Sequence, residues 1–153
     1  MALFKILEYP HPVLKMKAQP VKKFDKRLHN ILDSMKETLV FHDGLGLAAP
    51  QIGVSERFAI VNTDDGYYEL INPVLIAHGG IQTGIEGCLS VPKKYGEVTR
   101  YKTIKVKALD RYGKQHIFHV QDLTARAFQH EMDHLDGVMY ISKCNDGLYE
   151  AWK

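Results

Sequence analysis

Leu28, Ile31, Leu32, Met35 and Leu39 recur at three- and four-residue spacing, with Asp33, Lys36 and Glu37 between them. That period predicts an amphipathic helix. Asp25 is placed to cap its start and Asp43-Gly44 to stop it. Further on the period changes. Phe58-Ala59-Ile60-Val61 is a continuous apolar run and predicts a buried strand. Glu69-Leu70-Ile71-Asn72 and Val74-Leu75-Ile76 predict two short strands around Pro73, followed by a turn at His78-Gly79-Gly80. Ile104, Val106 and Ala108 alternate with Lys105 and Lys107, the period of a half-buried strand. Asp110-Arg111-Tyr112-Gly113 supplies turn residues, and Gln115 to Val120 returns as the second strand of a hairpin. A last helix is predicted from about Leu123 to Leu135, capped by Asp122 and ended by Gly137. Ahead of all this, Pro10, Pro12 and Pro20 predict an extended arm lying on the body. Strands cluster before one late helix. The expected class is α+β, one mixed or antiparallel sheet wrapped around that helix, in a single catalytic domain spanning residues 1–153.

Composition narrows the function. At 45% hydrophobic and 25% charged, the 153 residues read as an ordinary globular domain. A formal net charge of +2 gives no electrostatic case for nucleic acid or an anionic membrane as partner. Two cysteines, Cys88 and Cys144, do not make a secreted disulfide framework. The stretch Met1-Ala2-Leu3-Phe4-Lys5 does not read as a targeting leader, and no apolar run is long enough to cross a bilayer. The cytoplasm is the expected compartment, with at least one thiol free for chemistry.

Candidate chemistry lies in three segments. The late helix carries His130-Glu131-Met132-Asp133-His134. Histidines four residues apart share a helix face and can reach one metal ion, while Glu131 beside them can take a proton from the attacking water. The bland alternative is a surface helix that happens to contain these residues. A tetrahedral hydrolytic site needs a third ligand. The remaining histidines, the acids and both cysteines are candidates. Cys88 stands in Glu86-Gly87-Cys88-Leu89-Ser90, where Gly87 lets the backbone approach a crowded centre; otherwise it is a small buried core residue. Cys144 reads as incidental. The third segment is Gly44-Leu45-Gly46-Leu47-Ala48-Ala49-Pro50-Gln51. Gly44 and Gly46 permit close backbone approach to a substrate or a helix, and the Gln51 amide can face a developing oxyanion. A tight connection with an exposed glutamine is the plainer reading.

Together, and in this order, the three segments resemble the signature motifs of the peptide deformylases, over nearly the whole chain. The resemblance implies that Cys88, His130 and His134 hold one ion per chain, usually ferrous iron (Fe2+), with Zn2+, Ni2+ or Co2+ as substitutes. It implies Glu131 as general acid/base, and Gln51 with the Leu89 backbone N–H as oxyanion donors. Leu45, Leu123 and Ala127 are expected in the wall of a methionine pocket, with Gly44, Gly46 and Gly87 along the substrate. The plainer reading of Leu45, Leu123 and Ala127 is core packing. Glu86 and Arg100 match positions expected to form an ion pair. The implied substrates are N-formyl-Met nascent polypeptides. Transient proximity to the ribosome is expected, without the long C-terminal docking helix of some relatives. Neither nucleic acid nor membrane is an expected partner. Asp122 stands where many members have glycine. The rival readings are another His-Glu-x-x-His amidase or protease, which activity on unformylated peptides would reveal, and a non-enzymatic metal-binding domain, which intact Glu131 and Gln51 argue against.

Overall fold

The computed structural model describes residues 3–145 and the backbone of 149–150. The expectations for the extreme N-terminus and for the last residues, 146–148 and 151–153, therefore lie outside the described residues.

Helix α1 spans Lys26–Phe41, and the Asp25 carboxylate accepts the Leu28 N–H at 3.2 Å as its cap. Leu28, Leu32, Met35 and Leu39 are buried on one face, as their spacing requires. At the far end Asp43 itself takes the left-handed conformation, φ 53°, and the Gly44 N–H returns to the Leu39 carbonyl. Five strands follow in antiparallel order: β1 (Gly46–Ala48), β2 (Phe58–Thr63), β3 (Gly66–Cys88), β4 (Val91–Leu109) and β5 (Gln115–Gln121). A short β6 (Tyr149–Glu150) pairs with β4 at Lys94 and Tyr95. Helix α2 spans Asp122–Leu135.

The two helices cover opposite faces of the sheet. Phe58 and Ile60 join the α1 residues, Leu47 and Ile71 in one core. Val61, Leu70, Ile104, Val106 and Ala108 close around Ala125, Ala127 and Phe128 of α2 in another. A strand covered on both faces reads as a continuous apolar run, which is why β2 does not alternate. No helix among the described residues is long and apolar enough to cross a membrane.

Four expectations need correction. Pro73 does not separate two strands: β3 runs through it, and the pairing with β4 slips between Ile71 and Val74. A proline costs nothing in a bulge, where its missing N–H is not required by the ladder. His78-Gly79-Gly80 is not a turn either, because His78 pairs with Ile104 and Gly79 with Thr103 inside the same strand. The glycines lie within a long hairpin rather than ending it. The arm is not uniformly extended. Pro12–Lys15 form a 3-10 turn whose Val13 and Leu14 are buried with Val91, Val98, Met139 and Tyr140.

Lastly, Asp122 is not a side-chain cap of α2. It sits at φ 54°, the region glycine occupies most easily, and its carboxylate pairs with Lys102 Nζ at 3.0 Å. Thr124, in the first turn, instead donates its hydroxyl to Asp65. The other end is as expected. Gly137 has φ 74°, and a Cβ there would lie 2.5 Å from the Lys15 carbonyl oxygen, so the arm crosses the helix end where only glycine fits.

Candidate active site

Helix α2 turns an unusual set of residues inward: Arg126, His130, Glu131 and His134 are all buried. The helical period puts His130 and His134 on one face. Opposite them, β3 ends at Cys88, which pairs with Val91 across the tight turn into β4. One ligand atom from each of Cys88, His130 and His134 lies within 4.8 Å of the others. The Cys88 Sγ is 3.3 Å from His134 Nε2. The His130 Nδ1–H donates to Glu86 Oε1 at 2.9 Å, which turns its other nitrogen toward Cys88 and the ligand cluster. Cys144 takes no part in this cluster; its thiol donates to the Tyr140 carbonyl.

The Glu86 carboxylate is the hub of the surrounding charge network. Arg100 reaches both of its oxygens, at 2.8 and 2.9 Å, and Arg126 Nη1 donates to Oε2 at 2.6 Å. Burial alone would raise the Glu86 carboxyl, but the hydrogen bonds and charges of Arg100 and His130 hold it well below the ordinary carboxylate range. Arg100 also pairs with Asp133, and Asp133 with Lys143. The Glu86–Arg100 pair was legible in the sequence. Arg126 was not, since an arginine on an amphipathic helix reads as solvated. Ser90 was missed as well: it is fully buried and its hydroxyl takes a hydrogen bond from Gln51.

Gln51 lies in the 3-10 turn Ala49–Ile52 that follows β1. Its Oε1 accepts the Ala48 N–H at 2.9 Å, and this fixes which way the amide faces. Nε2 then donates to Ser90 Oγ at 3.1 Å and points at Cys88 Sγ at 3.5 Å. Its donor edge is thus held at the cysteine. Glu131 is 3% exposed, and its Oε1 has no hydrogen-bond partner among the described residues. Burial and the nearby Glu86 charge push its carboxyl up to about 7, against the pull of His130. Its space exists because residue 46 is glycine: a Cβ there would meet Glu131 Oε2 at 2.5 Å.

The two histidines are driven apart. Burial opposes charge on His130, but the Cys88 hydrogen bond and the Glu131 and Glu86 carboxylates outweigh it and raise its pKa. Burial and the His130 charge push His134 down. The donor set of one thiol and two imidazoles suits a borderline-soft ion rather than magnesium or calcium. The unpartnered Glu131 oxygen beside it fits a proton-handling group that is not itself a ligand.

These residues open onto a cleft of about 740 Å³. Gly44, Leu45, Gly46, Gly87, Leu89, Leu123 and Ala127 line it, so every residue expected along the substrate is there. Leu45 and Leu123 are 45% and 50% exposed and form an apolar wall with Ile85, which sequence reasoning did not single out. Ile85 alternates with Glu86 along β3, and that period was the available signal.

The polypeptide deformylase family model matches residues 3–148. The chain is 50% identical over 145 residues to peptide deformylase 1 of Bacillus subtilis, covering 94% of this chain and 91% of that protein. It is 45% identical over 146 residues to the peptide deformylase of Carboxydothermus hydrogenoformans, covering 95% and 96%. The crystal structure of peptide deformylase from Thermotoga maritima superposes with a TM-score of 0.93 at 38% identity, covering 95% of this chain and 99% of that one.

Proposed function

This chain belongs to the polypeptide deformylase family and is a metal-dependent hydrolase that removes the N-formyl group from an N-terminal methionine, and we propose the roles of its residues as follows. Cys88, His130 and His134 hold one ion per chain, Glu131 is the general acid/base, and Gln51 with the Leu89 N–H binds the oxyanion. The observation that carries this assignment is the convergence of a thiol and two imidazoles within 4.8 Å, beside a buried carboxyl with an unpartnered oxygen. The resident ion is Fe2+, with Zn2+, Ni2+ or Co2+ able to replace it, since thiolate and imidazole accept all of these.

When bound, the ion supplies Lewis acidity, acidifying water and polarising the formyl oxygen. The rest of the chemistry belongs to the side chains. Glu131, poised near neutrality, takes a proton as water attacks the formyl carbon. The Gln51 amide and the Leu89 N–H donate to the oxygen that gains charge. In a comparable hydrolase one such donor is worth about 2.7–4 kcal/mol. Glu131 then delivers the proton to the departing amine nitrogen as the C–N bond breaks, leaving formate and a free N-terminus. Leu45, Ile85, Leu123 and Ala127 offer apolar area to the methionine side chain, with Gly44, Gly46 and Gly87 beside the peptide. The whole chain works as one catalytic domain in the cytoplasm, on nascent polypeptides close to the ribosome.

The test is formate release from formyl-Met peptides under anaerobic conditions, with elemental analysis of the same sample. Formate released in proportion to bound metal is the expected result. Hydrolysis of unformylated peptide instead of deformylation would overturn the reading.

A further inference from the structure

Arg126 is a buried charge that the mechanism above does not use. It is 7% exposed, yet only one of its two terminal nitrogens is satisfied among the described residues: Nη1 donates to Glu86 Oε2 at 2.6 Å and to the Val98 carbonyl at 3.1 Å, while Nη2 has no partner there. Burying a guanidinium with an orphaned donor is costly. A methionine or leucine would fill the same helix position without that cost. What the arginine provides is a fourth bond to one carboxylate. Glu86 Oε1 accepts Arg100 Nη2 and His130 Nδ1, and Oε2 accepts Arg100 Nε and Arg126 Nη1. A carboxylate offers about four lone-pair sites, so all of them are filled and the group has no rotational freedom left.

Geometry gives the consequence. Arg126 precedes His130 by one turn of α2, and both residues reach the same Glu86. Glu86 lies two residues before Cys88 on β3, and Val98 belongs to β4. Arg126 therefore straps the helix carrying the two histidines to the strand carrying the cysteine and to that strand's partner. We propose that Arg126 is a positioning residue for the metal centre: it locks the Glu86 carboxylate, and through it the His130 ring, in the orientation that presents the second imidazole nitrogen to the ion. This rests on the ligand assignment made above.

The experiment uses the full chain, stripped of metal and reloaded with zinc or cobalt. Arg126→Met keeps an unbranched apolar stem, shorter than arginine, and removes the donors; Arg126→Lys keeps the charge. Zinc affinity is read by chelator competition, the thiolate-to-cobalt absorption band reports the ligand geometry, and kcat and KM are read separately. Loss of an outer partner of a ligating histidine typically costs 10–100-fold in metal affinity. Arg126 holds that partner, Glu86, rather than the histidine itself, so Arg126→Met is expected to lose affinity at the low end of that range, about tenfold, shift the cobalt band and lower kcat with little change in KM, and Arg126→Lys to recover part of each. A folded Arg126→Met with zinc affinity within about twofold of the unsubstituted chain, or a loss confined to KM, overturns the proposal.

A second variant decides the matter should Arg126→Met not fold. A Cβ at Gly84 would lie 3.2 Å from Arg126 Nη2, so Gly84→Ala presses on the guanidinium and leaves Glu86 and all three ligands in place. It is expected to weaken zinc binding in the same direction by a smaller factor; unchanged affinity overturns the proposal. Zinc affinity is compared between chains without any substrate. An unsubstituted chain that binds zinc but releases no formate would refute the deformylase reading and leave the Arg126 comparison standing.

Discussion

Gly46→Ala is the sharpest test of where Glu131 must stand. The added methyl would lie 2.5 Å from Glu131 Oε2 and 2.8 Å from both Cδ and Cγ. Ordinary nonbonded contact is about 3.5 Å, so one partner has to move by roughly 1 Å. Residue 46 is held by the β1–β2 ladder, where it pairs with Val61. The Glu131 side chain hangs from a helix with one oxygen unpartnered, so it yields first. Yielding costs the fold little, because the atoms the methyl meets are the far end of a flexible side chain and Oε1 has no hydrogen bond to lose. It costs the reaction a great deal. A misplacement of about 1 Å in a reacting group can cost on the order of 10²-fold, and total loss of general acid/base help is typically about 10²–10⁴-fold. The expected result is a folded protein with full metal and a kcat about 10²-fold lower, with KM nearly unchanged. The assay is formate release at saturating formyl-Met peptide, with metal content and melting temperature taken on the same sample. Turnover within a few-fold of the unsubstituted chain would refute the placement argument. Loss of metal in step with activity would refute it too, since it would mean that Gly46 guards the ligands rather than the base.

Other consequences can be measured alongside. Glu131→Gln should bind metal with unchanged stoichiometry while kcat falls about 10²–10⁴-fold; full metal with normal turnover would mean the proton is handled elsewhere. Cys88→Ser should lose metal on dialysis, because oxygen is the harder ligand, whereas Cys144→Ser, whose thiol lies outside the cluster, should retain it. Gly137→Ala should lower stability by about 2 kcal/mol or more, since it forces a left-handed conformation and meets the Lys15 backbone; an unchanged melting temperature would contradict that. Removing the ion should lower the melting temperature, and returning it at about 100 times its dissociation constant should restore about 2.7 kcal/mol, read by calorimetry with and without chelator.

Much of the fold was legible because its signals are local. The stripe of Leu28, Leu32, Met35 and Leu39 and the Asp25 cap lie within one helix, and the Ile104–Val106–Ala108 alternation lies within one strand. The residues that gather at the cleft were legible for the same reason, since each of the three segments is short. What stayed hidden depends on distant partners. Pro73 and His78-Gly79-Gly80 punctuate a sequence, but in β3 they sit at a pairing slip and inside a ladder whose other strand lies some thirty residues away. Arg126 reads as solvated until Glu86 and Val98 are brought over it from other strands. Asp122 has a good capping side chain, yet its backbone turns left-handed and sends the carboxylate to Lys102 instead.

The burial of so much polarity on α2 is the feature that joins fold to function. A helix enclosed by a sheet is usually apolar all round. This one brings Arg126, His130, Glu131 and His134 into the interior. Arg126 and His130 share Glu86, and Glu86 is held in turn by Arg100, which also pairs with Asp133. Among the described residues, three buried side-chain atoms keep no partner: Arg126 Nη2, Glu131 Oε1 and His134 Nδ1. Two of them belong to residues given direct roles here, proton transfer and metal binding, and the third to the arginine assigned to position the centre. All three belong to α2, the helix that lines the cleft, and the charge network around Glu86 is what lets the surrounding core tolerate them.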